Sequence, residues 1–118
     1  MAILVKNKYG TINITKKAIV KIAGITAMEC YGIVGMAARS FSDGFFKLLK
    51  QEKLDRGINI HESDNKIDIT LHIIVLYGTN IPVISRTLQD SIKYRIKEYT
   101  GIEVNNINIY VEGLKIDI

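Results

Sequence analysis

Cys30, His61 and His72 are the only cysteine and histidines in the chain, so any thiol–imidazole chemistry must come from them. Nucleophilic catalysis needs a base beside the nucleophile and donors for the developing oxyanion. Cys30 closes a predicted helix near its apolar face. His61 ends one predicted strand and His72 sits in the middle of the next, so pairing of those strands could bring the two rings together. An inert thiol beside two ordinary sheet histidines accounts for the same residues, because most buried thiols are structural. No catalytic residue is assigned, and the chain is not expected to be an enzyme.

Glu62, Asp64 and Asp68 surround a predicted turn but form no calcium-loop pattern, and one cysteine with two separated histidines lacks structural-zinc spacing. No metal or cofactor is expected. Gly32-Ile33-Val34-Gly35 matches the GxxG loop with which KH domains clamp a nucleic-acid backbone. Its inner residues give a phosphate no side-chain donor, and glycine also serves turns and close packing. Nucleic-acid binding through residues 32–35 and nearby lysines is therefore kept as the alternative function.

Lys47, Lys50, Lys53 and Arg56 form the densest basic cluster, with Glu52 and Asp55 between them. A solvated helix face is the ordinary explanation of such mixed charge. Phe41, Phe45 and Phe46 stand just before it. On a helix, Phe45 and Phe46 diverge by roughly 100°, so the three rings do not fit one narrow stripe. A ring left outside the core would mark a surface for self-association or a partner. The candidate interaction residues are thus Phe41, Phe45, Phe46, Lys47, Lys50, Lys53 and Arg56. An open sheet edge is the other candidate.

The elements that must position these residues follow from periodicity. Ile12 and Ile14 alternate with Thr11 and Asn13 as a short strand. Thr15 offers an N-cap to a helix whose apolar face carries Ile19, Ile22, Ala23, Thr26 and Ala27. Lys16 and Lys17 oppose the dipole in its first turn. Residues 32–38 read as a buried strand or tight connection. A second helix is read within residues 39–50, with Phe41, Phe45, Leu48 and Leu49 sharing one face and Ser42 or Asp43 as cap.

Ile58 and Ile60 open a strand. After a polar turn, Ile67, Ile69, Leu71, Ile73 and Val75 occupy every second position of its hairpin partner. Asn80 or Thr79 caps a long helix with Pro82 in its first turn and a stripe of Ile81, Ile84, Leu88, Ile92, Ile96 and Tyr99. Gly101 suits a left-handed C-terminal cap, and Val104 or, in preference, Ile107 opens a last strand with Ile109 and Val111 on one face. The predicted order is β-α-β-α-β-β-α-β. The expected class is α+β, a small mixed sheet with helices packed mainly on one face, within a single domain spanning residues 1–118.

Composition is consistent with this. The 118 residues are 47% hydrophobic with one proline, which argues against a disordered chain. A net charge of +4 allows an acidic partner without implying one. One cysteine excludes an internal disulfide framework and suits a reducing cytoplasm. No apolar run approaches the roughly 20 residues that span a bilayer. The expected location is cytoplasmic, with membrane association through a partner.

Taken together, GTINIT, AMECYGIVGM, RSFSDGFFKLLKQEKLDRGINI, IIVLYGTNIPVI and TGIEVNNINIYVEG resemble the alkaline shock protein family of Gram-positive bacteria, specifically its short YloU-like members. The resemblance covers nearly the whole chain. It implies a small cytoplasmic α+β protein without a known catalytic centre. Larger relatives are tied to cell-envelope stress and held near the membrane by a membrane partner. Short members often sit genetically beside a fatty-acid kinase of the dihydroxyacetone-kinase type. The expected function is a non-catalytic interaction or scaffold protein linked to envelope stress or lipid-precursor metabolism. Its expected partners are proteins, among them a membrane-anchored protein, a fatty-acid kinase, or further copies of itself.

Overall fold

A computed structural model describes residues 2–39, 46–48, 57–63 and 66–116. The first apolar run, Ala2–Asn7 (β1), pairs antiparallel with Gly10–Thr15 (β2), so the strand predicted around Ile12 and Ile14 is half of a hairpin. Thr15 then caps Lys16–Glu29 (α1), its side chain accepting the Ala18 N–H at 3.2 Å. The first-turn lysines are less awkward than their position suggests. The Lys16 ammonium donates to the Ile60 carbonyl at 3.3 Å, joining the start of α1 to the sheet.

Ile33–Arg39 (β3), Phe46–Leu48 (β4), Ile58–Ser63 (β5) and Lys66–Leu76 (β6) follow, then Ile81–Thr100 (α2) and Glu103–Lys115 (β7). The class is α+β with a mixed sheet. The helix predicted within residues 39–50 is corrected at Phe46–Leu48, which pair antiparallel with Arg39, Ala38 and Ala37 as a strand; residues 40–45 and 49–50 lie outside the described residues. Phe46-Lys47-Leu48 fits an alternating strand as well as a helical turn, and over so few residues periodicity cannot choose between them.

β6 is the centre of the sheet. β7 runs parallel to it along its whole length, while β5 and β3 share its other side, antiparallel to residues 66–71 and 73–75 respectively. A parallel neighbour requires a crossover, and α2 supplies it. Asn80 accepts the Val83 N–H at 3.2 Å at the start of α2, and Gly101, at φ +77°, ends it.

The core lies between one sheet face and the two helices. Ile67, Ile69, Leu71, Ile73 and Val75 are fully buried against Ile19, Ala23 and Ala27 of α1 and Leu88, Ile92 and Ile96 of α2. Burying each such branched side chain contributes about 1.5–3 kcal/mol. Tyr99 departs from the predicted stripe: it is 67% exposed, and the buried line of α2 ends at Ile96. The β1–β2 hairpin forms its own small sheet, anchored in this core by Ile3, with Leu4, Ile12 and Tyr9 exposed.

Candidate functional site

Alternation along β6 places Asp68, Thr70, His72, Ile74 and Leu76 on the face away from the helices, and all five are partly exposed. Asn59 and His61 of β5 pair with Thr70 and Asp68 there, and Asn108 and Tyr110 of β7 pair with Thr70 and His72. At its centre the His72 ring stacks on Tyr110, with centroids 5.1 Å apart and planes 15° from parallel. His72 Nδ1 lies 3.0 Å from Glu112 Oε1. Glu112 reaches this face by alternation, two residues after Tyr110, and is the extra residue of β7 where the β6–β7 register shifts between Ile73 and Ile74. The imidazole is thus held by a carboxylate on one edge and a phenol on its face.

β7 is also a sheet edge. Among the described residues its only strand partner is β6. The Asn106 N–H donates to Asp68 Oδ1 at 3.1 Å and so faces β6. By alternation, the N–H and C=O groups of Ile107, Ile109 and Val111 face outward. Gln89 of α2 agrees with this, its Nε2 donating to the outward Ile107 carbonyl at 2.9 Å. The edge is flanked by exposed charge, Glu103 lying 3.5 Å from Lys97 at one end and Lys115 standing at the other.

The residues considered for catalysis are not brought together. Cys30 sits at the end of α1 in the helix layer, while His61 and His72 lie on the opposite sheet face. His61 pairs with Asp68, four residues before His72, which keeps the rings roughly 13 Å apart along the strand. Burial pushes the Cys30 thiol above its ordinary range; nearby Arg95 lowers it in part and Glu29 raises it further. Arg95 is held by Glu29 at 2.7 Å and reaches the Thr26 hydroxyl at 3.4 Å.

Glu62 and Asp68 point to opposite faces of the sheet, and Asp64 lies outside the described residues. Among the described residues no group of three or more His, Cys, Asp or Glu could hold a metal ion. Gly32 and Gly35 do not form an open clamp: Gly35 is buried within β3, and a Cβ at Gly32 would run into Ile84 of α2 and Thr79 just before it. Of the candidate interaction residues, Phe46 and Lys47 belong to β4, whereas Phe41, Phe45, Lys50, Lys53 and Arg56 lie outside the described residues. The stack of His72 on Tyr110 and its Glu112 partner escaped sequence reasoning. Alternation pointed only to the side of β6 on which His72 lies.

A family model, described as having a cell envelope-related function, matches residues 5–116. The chain belongs to the alkaline shock protein 23 family. The uncharacterized protein YloU of Bacillus subtilis is 38% identical over 117 residues, covering 98% of each chain. The uncharacterized protein YqhY of the same organism is 28% identical, over 92% of this chain and 79% of its own. A stress response regulator gls24 homolog of Streptococcus pyogenes is 24% identical over 90% of this chain, which spans 59% of that relative's length. No solved structure matches the chain. Among the described residues no helix is long and apolar enough to cross a membrane.

Proposed function

We propose that this member of an envelope-related family is a non-catalytic interaction protein that works by joining other proteins through its sheet. The observation that carries this reading is the outer edge of β7, a 13-residue strand that pairs only with β6 among the described residues. An open edge presents main-chain donors and acceptors as a template for another strand, and side chains on its two faces supply selectivity. The oriented His72, Tyr110 and Glu112 adjoin that edge and give an incoming strand polar and aromatic contacts. Phe41, Phe45, Phe46, Lys47, Lys50, Lys53 and Arg56 are proposed as a second contact region. The proposed setting is cytoplasmic, in envelope stress or lipid-precursor metabolism, with a membrane-anchored protein or a fatty-acid kinase as partner.

The test is affinity capture from native bacterial lysate, with and without nuclease, comparing the wild-type chain with Ile109→Pro. Proline removes the outward N–H of Ile109 while remaining compatible with an edge strand. A defined protein retained after nuclease and lost with Ile109→Pro is the expected result. Recovery of only nuclease-sensitive material would overturn the reading and favour nucleic-acid binding.

A further inference from the structure

The sequence of β7, EVNNINIYVEGLK, has a symmetry that its fold turns into geometry. Its branched apolar residues, Val104, Ile107, Ile109, Val111 and Leu114, are placed symmetrically about Ile109. Its terminal charges, Glu103 and Lys115, stand at equal distances from the same centre and have opposite sign. When a strand pairs antiparallel with a copy of itself, each residue meets the one reflected through the centre. For β7 centred on Ile109, Glu103 meets Lys115, Val104 meets Leu114, Ile107 meets Val111, and Ile109 meets itself. Asn106 falls opposite Glu112 and Asn108 opposite Tyr110. No like charges are opposed, and every branched apolar residue meets another.

We propose that the occupant of the β7 edge is the β7 of a second copy of this chain, paired antiparallel about a two-fold axis at Ile109. This rests on the edge-binding reading above and names its partner. The groups that must bond already face outward: Ile109 exchanges both bonds with its copy, and Ile107 and Val111 exchange theirs reciprocally. About six main-chain hydrogen bonds result. They fall within residues 106–111, where β7 is regular; its register shifts against β6 lie on either side of that run. The Gln89 bond to the Ile107 carbonyl is compatible with this, since a carbonyl has a second lone pair.

The pairing also covers what the single chain leaves open. Ile109 and Val111 are only partly buried, and Tyr110 and Leu114 are 52% and 51% exposed. The two sheets become one continuous sheet, with both copies' helices on the same side. Because the contact is two-fold, each β7 is used once and the assembly closes as a dimer rather than growing into a filament.

The test is position-specific crosslinking of the full chain in a Cys30→Ser background. In a hydrogen-bonded antiparallel pair the facing Cα atoms lie about 5.5 Å apart, within disulfide reach. Ile109→Cys is expected to form a disulfide dimer under mild oxidation. Asn106→Cys is not, because its own copy lies six residues away along the strand, roughly 20 Å. Sedimentation of the chain without added cysteines is expected to show a dimer that Ile109→Lys, which places two ammonium groups together at the axis, converts to monomer. Circular dichroism of that variant distinguishes a folded monomer from an unfolded chain, and the crosslinking result stands independently of it.

Equal crosslinking at residues 106 and 109, or a dimer indifferent to a folded Ile109→Lys, would overturn the proposal. A monomer that still captures a protein through Ile109 would overturn self-pairing while leaving the edge-binding reading intact. A dimer crosslinked at residue 109 that captures no other protein would sustain self-pairing and confine the proposed function to self-assembly.

Discussion

Gly32 and Gly78 allow one substitution to be measured against nearly the same backbone in two settings. Both have left-handed φ, +90° and +91° respectively. A Cβ added at Gly78 meets nothing within 4 Å, whereas one added at Gly32 would overlap Ile84 Cδ1 and come within 3.2 Å of Thr79 Cγ2. Ile84 is a buried residue of α2, so its side chain has little room to retreat. The left-handed conformation alone costs a non-glycine residue about 1–2 kcal/mol. Overpacking a filled core adds about 1–3 kcal/mol. Gly78→Ala is therefore expected to destabilise by about 1–2 kcal/mol and Gly32→Ala by about 2–5 kcal/mol. At about 4 °C per kcal/mol for a domain of this size, the melting points should fall by about 4–8 °C and 8–20 °C. Thermal and urea unfolding of both variants, followed by far-UV circular dichroism, measure the difference. Equal losses would refute the claim that Gly32 is fixed by packing against α2, and would reopen the use of residues 32–35 as a backbone clamp.

Three other outcomes follow from the packing and the electrostatics. Ile92→Ala removes a fully buried side chain from the α2–sheet contact and should cost about 2–5 kcal/mol in urea unfolding; a loss below about 1 kcal/mol would contradict its burial. A double-mutant cycle of His72→Ala and Tyr110→Ala should give a coupling of about 0.5–1.5 kcal/mol, as expected for stacked rings, and additive effects would show that the stack contributes nothing. Burial makes the folded state hold the Cys30 proton more tightly, so this group's contribution to stability is complete below the ordinary thiol pKa and is lost as pH rises through the raised value. Iodoacetamide labelling should accordingly show a higher pH midpoint for the native chain than for the denatured one, and coincident midpoints would refute the shift.

Much of the fold could be read along the chain because its signals are local. Thr15 and Asn80 cap the helices, Gly101 ends α2 in the left-handed conformation, and period-two isoleucines define β6. Each depends on groups a few residues apart. The errors arose where local signals were weak or ambiguous. Phe46–Leu48 is too short to display a period, and its pairing with β3 decides its conformation. Tyr99 extends the helical stripe by spacing, yet the buried line of α2 ends at Ile96 and leaves it exposed. Ala2–Asn7 becomes a strand by pairing with β2, a partner that an apolar run does not specify alone.

The candidate site shows the same division more sharply. Sequence alternation determined that Asp68, Thr70 and His72 share a face, because successive residues of a strand must point to opposite sides. The symmetry of β7 about Ile109 is likewise a property of the sequence alone. Only the tertiary structure decided that β7 runs parallel beside β6, that Tyr110 and Glu112 meet His72 there, and that β6 is the only strand paired with β7 among the described residues. Strand order and register depend on contacts between residues far apart in the chain. Local periodicity fixes which side of a strand is buried, but it carries no information about which strand becomes its neighbour.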